Sequence, residues 1–246
     1  GERTLLASTD AAHSVSDVLA QRVGPEEVRV ADNLDAVELD ADRIMEGEYG
    51  DLVRSVTSMA TSMQRGADDG GELPTMPGLD GLFALLKLLE YAESGRWDTI
   101  VVDCAPTGET LALLKFPELL GWYVEKWLPL GKAALRVLSP LSKKVLKVEL
   151  PDKHAMSDIE RLYARLIDLQ ELLKDGDCTA VRIVTLPEKM VVEETKRNYL
   201  YLNLFGYRVD GLVVNRVLPA EAAQGFFAEW AEVQARCMDE LSQVFA

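Results

Sequence analysis

Two short stretches carry the residue types that could do chemistry. In the first, Thr99-Ile100-Val101-Val102 is a β-branched apolar run, the composition of a strand buried on both faces, and it ends in the carboxylate of Asp103. Pro106, Thr107 and Gly108 must then turn the chain, and residues 109–114 read as the first turns of a helix. An acid at such a strand end repels a phosphate. It can, through water, hold a Mg²⁺ ion that bridges phosphate oxygens, and a helix N-terminus beside it offers free N–H groups to the anion. The plainer alternative is a buried strand with a solvated Asp and an ordinary turn. In the second stretch, residues 3–8 (RTLLAS) read as a strand running into Ser8-Thr9-Asp10-Ala11-Ala12-His13-Ser14-Val15-Ser16-Asp17, with a helix over residues 14–19.

These stretches need elements to position them, and the rest of the chain supplies an alternation. Residues 28–31 and 36–39 are short strand candidates. A helical stripe of Ile44, Met45, Leu52, Val53, Val56, Met59, Ala60 and Met63 covers residues 40–64, and a Gly, Asp and Pro-rich loop follows at 66–77. Residues 79–93 form a strongly apolar helix closed by Gly95. Residues 116–174 contain helical pieces between Pro117, Pro129, Pro140 and Pro151, the last at 156–173, and no strand pattern interrupts them. Strands at 181–186 and 211–214 precede helices at 191–204 and 221–244. Four apolar strands thus each end in a polar residue before a helix: Asp10, Asp103, Glu188 and Asn215. Alternating β and α elements imply an α/β fold with a mainly parallel sheet flanked by helices. Right-handed crossovers then bring the four strand ends to one edge.

Composition sets the bounds. A chain of 246 residues, 48% of them hydrophobic, can bury a sizeable core. No apolar stretch approaches the roughly 20 residues of a transmembrane helix. No leader pattern is visible, so the reading is a cytoplasmic protein, peripheral to a membrane only through a partner. The net charge of −15 opposes nucleic acid and anionic lipid as partners. Cys104, Cys178 and Cys237 are far apart, with no C-x-x-C pair, and read as free, mostly buried thiols.

The segment 8–17, STDAAHSVSD, resembles the switch I motif, usually S-T-D-P-A-H-N-L-S-D, of the arsenical-pump and tail-anchored-protein-targeting ATPase family. DCAPTGETL at 103–111 resembles its switch II, usually D-T-A-P-T-G-H-T-L. PEKMVVEET and VVNRVLP are similar to its later strand ends. The resemblance runs over nearly the whole chain in one order. It implies a single P-loop ATPase-like domain over 1–246, with a helical subdomain at about residues 40–95 and 116–176. It further implies a homodimer that binds ATP and Mg²⁺, hydrolyses ATP, and serves a membrane-protein client or a membrane pump or receptor. By the resemblance, Asp10 orients or activates the attacking water and Asp103 binds Mg²⁺ through water. Gly108, with Thr107 beside it, senses the γ-phosphate, and Asn215 hydrogen-bonds the adenine. Other readings stay open. Asp10 is also a good N-cap, Asn215 a good turn residue, and His13 a structural residue of the loop or a general base. Glu188 is a dimer contact, a nucleotide contact or a cap.

Departures from the family pattern are Ala11 for Pro, Ser14 for Asn and Glu109 for His. The zinc-binding C-x-x-C of the eukaryotic dimers is absent, and so is a cysteine triad for arsenite, which makes arsenite a doubtful ligand. No G-x-x-x-x-G-K-[ST] motif occurs in the 246 residues. The expectation is therefore that a strand, phosphate loop and helix of roughly 25 to 30 residues precede residue 3, and that a further strand with an adenine-contacting loop follows residue 246. A second function class is a hydrophobic-client chaperone with vestigial hydrolysis, its apolar surface drawn from Trp122, Trp127, Leu128, Leu130 and Leu135. A Rossmann-type cofactor enzyme is weak, because no strand leads into G-x-G-x-x-G.

Overall fold

β-Branched and apolar runs become strands here, but their neighbours decide how deeply they are buried. The computed structural model describes residues 1–10, 14–47, 50, 79–104, 153–221 and 225–245. They form two compact units, Gly1–Gln170 and Glu171–Ala246.

In the first unit, β1 (Thr4–Ser8), β2 (Val28–Ala31), β3 (Leu34–Glu38) and β4 (Thr99–Asp103) make one sheet in the order β2-β3-β1-β4. β1 is central and parallel to both neighbours. Its register sets Ser8 opposite Glu38 on one side and Asp103 on the other. β2 instead returns antiparallel to β3 through Asp32 and Asn33, a short connection that only an antiparallel pair allows. Leu5, Ala7 and Ser8 are fully buried, as expected of a central strand.

Helices α1 (Ser14–Leu19), α2 (Ala41–Gly47) and α3 (Leu79–Glu93) belong to the same unit. α1 buries Val15 against Val23 and Ala36, with Leu6, Leu19 and Val30 packed around them. α2 starts at a local cap, since Asp40 accepts the Arg43 N–H at 3.0 Å. α3 is apolar nearly all round, and Leu82, Phe83, Ala84, Leu85, Leu86, Leu88 and Leu89 are all buried. Gly95, at φ +62, turns the chain after it in a conformation that would strain any side chain. α4 (Lys153–Lys174) buries Leu166 and Leu169, and its Arg165 pairs with Glu93 of α3 at 2.6 Å. The division between the units falls within α4.

In the second unit, β5 (Val181–Thr185) and β6 (Val209–Val214) pair in parallel, and α5 (Lys189–Leu204) and α6 (Ala228–Val244) pack with them. Val192, Cys237 and Leu241 form the core, covered by Leu212, Val214 and Phe245. The buried Thr185 and Thr195 hydroxyls lie 2.7 Å apart. Thr195 gives its proton to the Val191 carbonyl, so Thr185 is the donor between the two.

The fold is α/β with mainly parallel strands flanked by helices. Four expectations are corrected. β4 is not buried on both faces, since Val101 is 49% exposed. Among the described residues it pairs only with β1. β6 begins two residues early, at Val209, because the ladder to β5 starts there. α6 begins at Ala228, after a 3₁₀ turn over Gly225–Phe227. The left-handed Gly225, at φ 66, is not helical, so helix starts only after it. Cys104 and Cys178 are exposed and only Cys237 is buried, although all three are free thiols. Most of the expected helical subdomain, including residues 51–78 and 116–152 with Trp122 and Trp127, lies outside the described residues. No helix among the described residues is long and apolar enough to cross a membrane.

Candidate functional site

Where β3, β1 and β4 end, the register aligns three residues in a row: Glu38, Ser8 and Asp103. The ladder continues one residue past the strands. Leu39 N–H donates to the Ser8 carbonyl and Thr9 N–H to the Asp103 carbonyl, both at 2.9 Å. The Thr9 hydroxyl also reaches the Asp103 carbonyl, at 3.4 Å. Asp10 follows directly, its N–H donating to the Ser8 hydroxyl at 3.2 Å. Asp10 and Asp103 therefore leave the ends of adjacent parallel strands, which sit about 4.8 Å apart. This end of the sheet is where open α/β sheets bind ligands.

The two acids differ in surroundings. Asp103 is exposed, and no hydrogen bond or ion pair holds its carboxylate among the described residues. An uncommitted carboxylate at a strand end is the hard oxygen donor that Mg²⁺ takes, directly or through its water shell, so the residues present fit that ion. Asp10 is half-buried. His13, Thr107 and Gly108 lie outside the described residues.

In the second unit the other two candidates share a strand-end position. Asn215 N–H donates to the Thr185 carbonyl at 2.8 Å, extending the β5–β6 ladder by one residue. Its side-chain oxygen accepts the N–H of Arg216, which is held at φ 53. The Asn215 side-chain oxygen is thus engaged in a local turn, while its amide NH₂ has no protein partner among the described residues. Glu188 occupies the N-cap position of α5 with extended backbone, and its carbonyl accepts the Val192 N–H at 2.9 Å. Its side chain makes no capping bond and is exposed, so the cap reading describes its backbone only. The structure places Asp10 and Asp103 after the ends of the adjacent strands β1 and β4, and Glu188 and Asn215 after the ends of the adjacent strands β5 and β6.

One acid in this row escaped the sequence reading. Glu38 is 4% exposed and caps α1: its carboxylate accepts the Ser16 N–H at 2.9 Å and faces the Ser16 hydroxyl at 3.0 Å. Its sequence signal matched that of Asp103, an acid closing an apolar strand, but Leu39 after it made the run look continuous.

A family model described as "Anion-transporting ATPase" matches residues 1–246. The chain is 34% identical over 249 residues to a protein named arsenical pump-driving ATPase in Chlorobaculum tepidum, covering 100% of this chain and 62% of that protein. It is 32% identical over 251 residues to arsenical pump-driving ATPase 2 of Aquifex aeolicus, covering 100% of this chain and 80% of that protein. With ATPase GET3C of Arabidopsis thaliana it shares 31% identity over 239 residues, 89% of this chain and 60% of the relative. The chain spans about three-fifths of the length of the first of these relatives.

Proposed function

Because the chain belongs to the anion-transporting ATPase family, we propose that it carries the switch residues of an ATP-hydrolysing protein and that the ends of β1 and β4 form its hydrolytic edge. The observation that carries this is the Thr9 N–H to Asp103 carbonyl bond, which fastens the segment leading to Asp10 onto the strand that ends in Asp103.

Phosphoryl transfer needs an aligned water and neutralised charge more than covalent chemistry. Magnesium, when bound with ATP, supplies that neutralisation at the phosphate oxygens. In this reading Asp103 holds the ion through water. Asp10 accepts a hydrogen bond from the attacking water and orients it. Gly108, with Thr107, offers its backbone N–H to the γ-phosphate, as the motif resemblance suggests. Asn215 uses its amide NH₂ toward the adenine, and Glu188 contacts either the nucleotide or a second copy of the chain. The molecule acts as a cytoplasmic homodimer whose helical segments at about 40–95 and 116–176 respond to the nucleotide state and bind a membrane-protein client or a membrane pump. Arsenite is not proposed as a ligand, since Cys237 is buried in the core of the second unit while Cys178 is exposed.

The test is phosphate release from ATP by the full-length gene product containing these residues, with and without Mg²⁺. Release that requires Mg²⁺ is the expected result. Tight ATP binding without release would favour the other class, a hydrophobic-client binding protein with vestigial hydrolysis.

A further inference from the structure

A buried carboxylate is costly unless donors surround it, so its partners tell what it is for. Glu38 takes its donors from a segment 22 positions earlier in the chain, not from a neighbour in sequence. Ser16 N–H donates to one carboxylate oxygen, and the Ser16 hydroxyl lies 3.0 Å from the other. That hydroxyl also accepts the Val23 N–H at 3.0 Å, and the Glu38 N–H donates to the Gly24 carbonyl at 2.9 Å. Glu38 therefore grips α1 at its start, through Ser16, and the chain leaving it, through Val23 and Gly24.

The other end of the same segment is gripped too. The fully buried Ser8 accepts the Leu39 N–H at its carbonyl and the Asp10 N–H at its hydroxyl. Asp10, through Ser8, and Ser16, through Glu38, are thus each tied to one row of strand termini, the row that also contains Asp103. We infer that Glu38 is a positioning residue for Asp10: by fixing the start of α1 to the end of β3, it fixes where the segment bearing Asp10 can lie. This rests on the reading of Asp10 as the residue that orients the attacking water. Neither Glu38 nor Ser16 touches substrate in this scheme. Their effect is geometric, and a displacement on the order of 1 Å at a reacting group can lower rate about 10²-fold.

Glu38→Ala, Glu38→Gln and Ser16→Ala in the full-length gene product separate positioning from charge. Glu38→Ala is expected to lower kcat about 10²-fold with KM for ATP within about 2-fold. Glu38→Gln is expected to stay close to wild type. Its carbonyl oxygen can accept the Ser16 N–H, and its NH₂ can donate to Ser16 Oγ, whose proton then turns to the Val23 carbonyl at 3.2 Å. Ser16→Ala keeps the backbone bond and should fall between the two. Amide exchange gives a readout free of turnover: in Glu38→Ala, residues 14–24 should exchange roughly 10-fold faster or more, while residues 81–91 keep their protection. Unchanged kcat and unchanged exchange in Glu38→Ala would overturn the inference. So would a Glu38→Gln variant as impaired as Glu38→Ala. If wild-type protein turns over no ATP, the hydrolytic reading fails separately, and exchange across residues 14–24 alone decides the positioning claim. If Glu38→Ala does not fold, Ser16→Ala decides in its place. Faster exchange across residues 14–24 upholds the inference and unchanged exchange overturns it.

Discussion

Trp97→Phe removes one hydrogen-bond donor and keeps most of the packing, at the end of the sheet opposite the strand termini described above. Asp35 of β3 accepts the Trp97 Nε1–H at 2.8 Å and the Arg29 guanidinium, and its side chain is only 17% exposed. The Trp97 ring meets Tyr91 edge-on, at 5.4 Å between centroids, and Arg96 lies over its face at 4.2 Å. Phe can keep the edge-on contact but cannot donate. A hydrogen bond to a charged group contributes about 1.5–3 kcal/mol. In a chain of this size that corresponds to a fall in Tm of roughly 3–12 °C at neutral pH. The pH dependence carries a sign. Burial pushes the Asp35 carboxyl up, but the Trp97 N–H and the Arg29 guanidinium, with Arg96 adding charge, more than offset it and hold the group below the ordinary 3.8. A carboxyl depressed on folding contributes stability that is full above its unfolded pKa and is lost as pH falls through its folded pKa. The Tm gap between wild type and Trp97→Phe should therefore be widest near neutrality and shrink below about pH 4. Thermal melts by circular dichroism across that range measure it. No gap at pH 7, or a gap that stays constant into acid, would refute the assignment of Trp97 as the donor that holds Asp35 ionised.

Two further outcomes follow from burial. Desolvation, with the nearby Glu27 carboxylate adding to it, raises the Tyr91 phenol to about 12, so its neutral form contributes stability that is full below about pH 10 and is lost as pH rises from there through about 12. Spectrophotometric titration should show a late tyrosinate step that Tyr91→Phe deletes, and a wild-type titration identical to that of the variant would contradict it. Leu86→Ala, at a fully buried position in α3, should cost about 2–5 kcal/mol in denaturant unfolding. Leu200→Ala, at a 57% exposed position in α5, should stay within about 0.5 kcal/mol, and equal losses would contradict the burial of α3.

Much of this architecture was legible in the sequence because its signals were local. The run of residues 99–102 ends in Asp103 as a strand, and residues 79–93 form the helix that their continuous apolar pattern and Gly95 announce. The places where reading failed depend on partners far away in sequence. Val101 lies in a run that looked buried on both faces, yet it is 49% exposed, since strand composition does not say what covers a face. Glu38 was passed over because its role is written in Ser16, not in its own neighbours. The turn at Asp32 and Asn33 did carry a visible hairpin signal, and the alternation of β and α elements masked it.

Asp10→Asn in the full-length gene product tests the hydrolytic edge most directly, by measuring ATP affinity and turnover on the same preparation. The amide keeps the size of the carboxylate but is a poor base and a weaker acceptor for the attacking water. The expected result is ATP affinity within about 3-fold of wild type and kcat lowered by roughly 10²–10⁴-fold. An unchanged kcat would remove Asp10 from the reaction and contradict the placement of hydrolysis at the joined ends of β1 and β4.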